Sequence, residues 1–258
     1  MLNNKAYQKV STSLMRDIFF RKLKPGEKLP PERELSDTMN VNRTTLREAL
    51  KQLESMQLLE IRRGDGIYVK DFLKHAGIDF LRVLCAEKDD PEDELSVDMF
   101  LLDELWEWWL IQFPAMVKLA FLRSSPRDLK ELSDLIDQET DHKNNREKLI
   151  ELWLAEQDLV AEVVNNMVMM LIFNSTRPLR RNILSIFLQS TSPENIEEFI
   201  NAKKALVMGV LVNSGENADY YVEQYRSILM EHRQITMGKI IQKNFTNDIT
   251  GPANEPAI

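Results

Sequence analysis

The sequence predicts a mainly α-helical protein with one small β-hairpin near its N-terminus. Three observations support this fold class. Apolar residues recur at helical spacing along most of the 258 residues, alternation is confined to residues 58–70, and Pro, Gly and Ser clusters separate the periodic segments. We expect a first domain at residues 1–72, an all-helical domain at residues 73–243 and a disordered tail at residues 244–258.

The composition excludes several classes of protein. Hydrophobic residues make up 43% of the chain, which is enough for a sizeable core. Charges interrupt every apolar segment, so we expect no transmembrane helix, and the first residues lack the pattern of an export signal. The single cysteine, Cys85, allows no internal disulfide. These features are typical of a cytoplasmic protein.

The net charge of −8 is unevenly distributed. Residues 1–74 contain 15 Lys and Arg against 10 Asp and Glu, and residues 75–258 contain 18 against 31. The first part is therefore basic and the second strongly acidic. This distribution concentrates the attraction for phosphate groups in the N-terminal domain.

Three helices are predicted in this basic domain. The first covers residues 6–22, where Val10, Leu14 and Ile18 recur at helical spacing. Pro30-Pro31 favours the start of a second helix, because proline has no amide hydrogen to satisfy in the first turn. Residues 40–42 form a turn, with Asn42 as the expected N-cap of the third helix.

The third helix has two distinct faces. An apolar stripe that should pack inward is formed by Leu46, Ala49, Leu50 and Leu53. The opposite face is polar and basic, and consists of Arg43, Thr44, Arg47 and Lys51. A helix that is held from one side and basic on the other is suited to a DNA groove.

A hairpin follows the third helix. Leu59 and Ile61 alternate with polar residues, and Gly64-Asp65-Gly66 is typical of a turn. Three helices and a hairpin in about 70 residues are the pattern of a winged helix-turn-helix, which inserts its recognition helix into the major groove. Arg side chains there commonly contact guanine.

The segment KPGEKLPPERELSDTMNVNRTTLREALKQLESMQLLEIRRGDGIYV resembles the DNA-binding domain of GntR-type regulators, over residues 7–70. ERELS followed by V-x-RTTLRE is most similar to the fatty-acid-responsive FadR subfamily. The resemblance implies operator contacts from Arg33, Arg43, Thr44, Thr45 and Arg47, and a minor-groove contact from the wing tip at Arg63 and Gly64. Asp65 stands where the subfamily has a lysine, so we expect a weaker wing contact.

Beyond residue 72 the pattern is almost wholly helical, and about seven helices with short loops predict one all-α bundle. It lacks a phosphate loop, a dinucleotide-binding glycine pattern and a nucleophile elbow. Glu139 and His142 match one half of a di-iron motif that must occur twice. We therefore interpret them as surface residues and expect no enzyme and no catalytic residues.

The bundle's position after the basic domain resembles the effector domains of the FadR subfamily. Many of these bind a metal through Asp-x3-His and two later histidines. Here Trp153 and Gln157 stand at the first two positions and His232 matches the last. The resemblance therefore implies no metal or cofactor and favours long-chain fatty acyl-CoA as effector, with an organic or sugar acid as the alternative. Leu229 replaces a glycine that admits the acyl-CoA ligand in the subfamily.

Aromatic and methionine-rich segments supply the candidate effector-binding residues. Trp106, Trp108 and Trp109 cannot all face one core, because neighbours on a helix lie about 100° apart. Methionines are suited to an adaptable apolar cavity, although they fill ordinary core gaps equally well. The predicted effector-binding residues are Trp106, Met167, Met170, Met208, Leu229 and His232.

Together these features predict a homodimeric transcription regulator that binds an inverted repeat in double-stranded DNA and responds to a small molecule. Two other classes stay open. One is a helical-bundle enzyme with a DNA-targeting head, and the other is a structural chromosome-binding protein with weak sequence preference.

Overall fold

The computed structural model describes residues 2–84, 99–212 and 217–249. It is mainly α-helical with one two-stranded antiparallel sheet, which confirms the predicted fold class. The chain divides into two compact units, Met1–Ser96 and Val97–Ile258. Cys85 lies outside the described residues. Within the described ranges, no helix combines the length and apolar character that a membrane span requires.

The N-terminal unit is built around its third helix. Its elements are α1 (Leu2–Phe19), α2 (Glu32–Thr38), α3 (Arg43–Ser55), β1 (Leu59–Arg62), β2 (Gly66–Val69), α4 (Phe72–His75) and α5 (Ile78–Leu84). Helix α3 packs on α1, α2 and β1. The predicted inward stripe is confirmed, since Leu46, Ala49, Leu50 and Leu53 are each at most 1% exposed.

The turn between α2 and α3 has the predicted cap. The Asn42 side-chain oxygen accepts a hydrogen bond of 2.8 Å from the backbone N–H of Thr45. This contact satisfies one of the free amide groups at the start of α3. Asn40 has a φ of 51°, a left-handed conformation that asparagine tolerates well. The cap fixes where the exposed face of α3 begins.

The two strands form the predicted hairpin. Leu59 lies opposite Val69, and Ile61 lies opposite Ile67. Gly64 has a φ of 77°, so the turn requires a residue that adopts the left-handed region without strain. The apolar face of the hairpin is buried and its turn is exposed.

Two short helices extend the first unit past the expected boundary at residue 72. The ring of Phe72 in α4 lies 5.9 Å from that of Phe19 and 5.6 Å from that of Phe80 in α5. This aromatic cluster packs α4 and α5 against α1. Residues 73–84 therefore belong to the N-terminal unit and not, as expected, to the bundle.

The second unit is an all-α bundle. It consists of α6 (Met99–Arg123), α7 (Pro126–Asp141), α8 (Arg146–Val164), α9 (Met167–Ser190), α10 (Pro193–Val212) and α11 (Ala218–Ile249). Helix α8 packs against α6, α7 and α9, and α11 packs against α6, α9 and α10. This arrangement places the inner faces of α8 and α11 around the centre of the unit.

Helix α6 continues through Pro114, because burial of the neighbouring apolar side chains outweighs one lost hydrogen bond. Helix α8 ends at Asn165, which has a φ of 49°, and Asn166 caps α9. Helix α11 runs six residues into the expected tail, and residues 250–258 lie outside the described part of the chain.

Candidate functional site

The outer face of α3 is a basic surface. Arg43, Thr44 and Arg47 are exposed because the apolar stripe holds the opposite face of the helix in the core. Arg33 is exposed on α2, close in sequence to Glu32, which contacts Arg47. The contact between Glu32 and Arg47 therefore brings the start of α2 next to the exposed face of α3.

Thr45 does not belong to this surface, in contrast to the prediction. Its side chain is only 1% exposed. Thr45 lies four residues before Ala49, on the apolar stripe, so the helix turns it inward. We therefore remove Thr45 from the set of candidate DNA contacts.

An ion pair that we did not predict joins α2 to α3. The Arg47 Nε donates a hydrogen bond of 2.7 Å to Glu32 Oε2. The Arg47 side chain is 63% exposed and the Glu32 side chain 33% exposed. Sequence periodicity contains no signal for this contact, because it depends on the angle between two helices.

The wing carries a connected set of charges. Asp65 accepts hydrogen bonds from Lys28 Nζ at 3.2 Å and from the Tyr68 hydroxyl at 2.9 Å. These contacts hold the pKa of the Asp65 carboxyl below its ordinary value. The Arg62 guanidinium lies 4.3 Å from the Tyr68 ring centroid. Arg63 and Gly64 are exposed at the tip, and the negative charge of Asp65 is directed to Lys28.

Two adjacent cavities lie inside the bundle. The larger has about 710 Å³ of empty space, part of it open to solvent. We call it the apolar chamber because α6, α7, α8 and α10 line it mainly with aliphatic and aromatic side chains. The smaller has about 530 Å³ of empty space, part of it open to solvent. We call it the polar chamber because its walls include Trp106, Trp153, Arg180 and His232. The two chambers share four residues, Glu156, Gln157, Lys203 and Tyr225.

Only part of the predicted effector-binding set lines these chambers. Trp106, Leu229 and His232 border the polar chamber. Met167 is 75% exposed and Met208 is 54% exposed, and neither these two nor Met170 lines a chamber. The three methionines therefore lie outside these two chambers, and their contact with an effector stays a prediction.

A buried ion cluster separates the two chambers. Lys203 Nζ donates hydrogen bonds of 2.7 Å to Glu139 Oε1 and 2.8 Å to Glu156 Oε2. Glu139 also accepts a 2.8 Å hydrogen bond from the Trp153 indole. Glu139 is fully buried, which contradicts its interpretation as a surface residue. Its position on the apolar stripe of α7, three residues after the buried Ile136, is the signal that we missed.

Burial and charge shift the protonation equilibria in this cluster. Burial, reinforced by the negative charge of Glu139, raises the pKa of the Glu156 carboxyl well above its ordinary value. Burial opposes the charge of Lys203, but the two carboxyl groups outweigh it and raise the pKa of Lys203. The raised pKa of Glu156 favours its neutral form, and the raised pKa of Lys203 favours its charged form.

His232 lies in an aromatic environment at the wall of the polar chamber. Its ring stacks on Trp153 at 5.8 Å and on Phe187 at 4.1 Å, and Phe199 meets it edge-on at 4.1 Å. Burial, with a smaller effect from Lys203, lowers the pKa of His232 to about 3. The imidazole is therefore neutral at ordinary pH.

Unpartnered polar atoms converge on the polar chamber. Within the described ranges, four of its lining side chains have a buried polar atom without a hydrogen-bond partner: Trp106 Nε1, Glu156 Oε1, Arg180 Nε and His232 Nε2. Buried polar groups normally have partners. These four side chains therefore have unused hydrogen-bonding capacity at the wall of the polar chamber. The described residues contain no group of three or more His, Cys, Asp or Glu placed to hold a metal ion.

Comparison with known proteins identifies the family of this chain. The family model for "Bacterial regulatory proteins, gntR family" matches residues 6–69. The chain is 31% identical over 173 residues to the HTH-type transcriptional regulator Mce2R of Mycobacterium tuberculosis, covering 66% of this chain and 68% of that protein. The chain belongs to the GntR family. As a GntR regulator it acts in transcription and is not an enzyme.

Two further similarities are informative about this GntR chain. It is 39% identical over 88 residues to the fatty acid metabolism regulator protein of Shewanella halifaxensis, covering 34% of this chain and 36% of that protein. The solved structure of Lar, which controls the expression of the Listeria monocytogenes agr system, has a TM-score of 0.55 at 16% identity, over 92% of this chain and 96% of that one. The second similarity shows the fold alone.

Proposed function

We propose that this GntR regulator reads a specific operator by inserting α3 into the major groove. The main observation that supports this proposal is the exposed face formed by Arg43, Thr44 and Arg47, on a helix whose opposite face is completely buried. The proposed contacts are Arg33, Arg43, Thr44 and Arg47 from the helices, and Arg63 and Gly64 from the wing. Arginine side chains supply base reading, and the wing supplies contacts to the neighbouring backbone or minor groove.

The protein acts as a homodimer on an inverted repeat. A two-fold symmetric protein presents two recognition helices related by the same axis, so its operator has two related half-sites. The test begins with selection of bound sequences from random double-stranded DNA. Affinity is then measured for the intact repeat, one half-site and scrambled DNA at one fixed salt concentration.

We expect the selected repeat to bind at least about 10³-fold more tightly than scrambled DNA. A structural chromosome-binding protein would show similar affinities for both. Light scattering on the free protein and on the complex tests the dimer, since one chain per half-site is expected. A complex that contains a single chain on the intact repeat contradicts the homodimer.

The effector binds inside the bundle, and our first candidate is a long-chain fatty acyl-CoA, as in the FadR subfamily. Two observations support it: the similarity to the Shewanella fatty acid metabolism regulator, and an apolar chamber suited to an acyl chain. An organic or sugar acid is the second candidate. The polar chamber favours it, because four unpartnered polar atoms there suit a small molecule rich in oxygen.

Each candidate predicts a different titration of the operator complex. Palmitoyl-CoA releases the DNA if the first is correct, and gluconate does so if the second is correct. An effector changes operator affinity only by binding the DNA-competent and DNA-incompetent forms unequally. If palmitoyl-CoA neither binds the free protein nor weakens the complex, the acyl-CoA assignment is wrong while operator binding still stands.

A further inference from the structure

The Glu32–Arg47 pair lies at the surface that faces DNA in the proposed function. Glu32 begins α2, and Arg47 lies near the start of α3 on its exposed face. The 2.7 Å contact joins Arg47 Nε to Glu32 Oε2, and most of the Arg47 side chain stays exposed. An exposed ion pair of this kind contributes little to folding stability. Stability therefore does not explain why an acidic residue contacts this arginine.

The geometry uses only one edge of the guanidinium. Arginine has five N–H donors in a planar fork, and Glu32 occupies the one on Nε. The two terminal amino groups remain, and a pair of such donors matches the O6 and N7 acceptors of guanine. A long side chain loses rotamer freedom when it binds a base. Holding it beforehand removes part of that cost.

We propose that Glu32 is a positioning residue that holds the Arg47 guanidinium in the direction required to read one base pair. The inference rests on the proposed insertion of α3 into the major groove. The positioning role and simple electrostatics predict opposite effects of removing Glu32. A negative charge beside DNA weakens binding to all sequences, so electrostatics alone predicts tighter binding without Glu32. If Glu32 positions Arg47, its removal instead weakens binding to the specific operator.

Glu32→Ala tests the proposal, with Glu34→Ala as its matched control. Both residues lie in the first turn of α2, and both variants remove one negative charge. Affinities are measured for the selected operator, for operators with each single base-pair change and for scrambled DNA. We expect Glu34→Ala to keep the ratio of specific to scrambled affinity, and Glu32→Ala to lower it by about tenfold.

The position of the loss along the operator is the decisive result. We expect Glu32→Ala to relax the preference at the same base pair where Arg47→Ala abolishes it, and Glu32→Gln to recover much of it, because the amide oxygen still accepts from Nε. The double variant should match Arg47→Ala alone. If Glu32→Ala tightens specific and scrambled binding equally, as the control does, the positioning role is disproved.

The outcomes also separate this inference from the proposed function. If Arg47→Ala removes a base preference and Glu32→Ala does not, only the positioning role is wrong. If neither variant changes any base preference while operator binding persists, the contact proposed for Arg47 is wrong as well. Circular dichroism of each variant confirms that the helices are retained.

Discussion

The imidazole of His232 stacks on the indole of Trp153, with ring centroids 5.8 Å apart and planes inclined by only 6°. The two residues come from α11 and α8, and their contact brings together two positions that the family resemblance aligns with metal ligands. Here one is an indole and the other a buried, neutral imidazole. The stack therefore places two aromatic rings, one of them with the unpartnered His232 Nε2, at this wall of the polar chamber.

His232 makes the stability of the bundle depend on pH. The pKa of His232 is about 3 in the folded chain, against 6.5 for an unperturbed histidine. Between these two pH values the unfolded chain binds a proton at His232 and the folded chain does not. The contribution is present above pH 6.5 and is lost as the pH falls below it. We expect about 2 kcal/mol less stability from this group at pH 5 than at pH 7.

Tryptophan fluorescence during urea unfolding measures this effect, because all four tryptophans lie in the bundle. His232→Phe should flatten the dependence between pH 5 and pH 7. His142→Gln, on a partly exposed ring at the end of α7, serves as the control and should leave it unchanged. Identical pH profiles for His232→Phe and the wild type would contradict the prediction.

Lys203→Met should strongly destabilise the bundle. The substitution removes the buried cation that contacts both Glu139 and Glu156. Breaking a buried pair from one side costs about 3 kcal/mol or more. Lys204→Met is a matched control on the next residue, whose pair with Asp137 is partly exposed. Adding Glu139→Gln to Lys203→Met should recover part of the loss, measured by the same unfolding assay.

More of the N-terminal unit than of the bundle interior could be predicted from the sequence, because local sequence patterns determine its helices and turns. Periodicity and an N-cap within one 13-residue helix define α3 and its faces. The same periodicity also accounts for Thr45, four residues before Ala49, although the family resemblance led us to count it as a contact. The Glu32–Arg47 pair depends on helix packing, which no local pattern contains.

The interior of the bundle depends on contacts between distant segments. Lys203 meets Glu139 across 64 residues of sequence. Each lies on the buried stripe of its helix, so a charged residue at an apolar position was the available signal. A cluster of methionines does not indicate which of its side chains face the core. Met167, for example, lies in the exposed first turn of α9.

Asn42→Ala should destabilise α3 by about 1 kcal/mol, because it removes the side-chain acceptor for the Thr45 amide. Hydrogen–deuterium exchange of peptides from α3 measures the local effect. Ser55→Ala, at the other end of the same helix, is the control and should change exchange little. Operator affinity should fall with Asn42→Ala, since the cap fixes the start of the DNA-facing turn. Unchanged exchange in α3 would show that the cap contributes nothing.

Arg63→Ala tests the wing separately from the recognition helix. If the tip contacts a phosphate, its loss weakens binding to all sequences alike and lowers the slope of log K against log salt by about 1. Arg43→Ala should instead cost about 1–3 kcal/mol at one base pair. Anisotropy titrations at several salt concentrations measure both effects. A base-specific loss from Arg63→Ala would indicate that the wing reads sequence.

Leu206→Trp distinguishes the apolar chamber from the rest of the bundle as the site of an acyl chain. Leu206 lines this chamber on α10, whereas Met208 lies two residues further on the same helix and is 54% exposed. The larger side chain fills space that the acyl chain requires, so the half-effective concentration of palmitoyl-CoA should rise more than about tenfold, as expected for overpacking. Met208→Trp adds similar bulk outside the chamber and should leave the response unchanged. Both proteins must first show wild-type operator affinity, because overpacking can also distort the fold. An equal response from the two variants would place the acyl chain elsewhere and would favour the polar chamber and its smaller, oxygen-rich ligands.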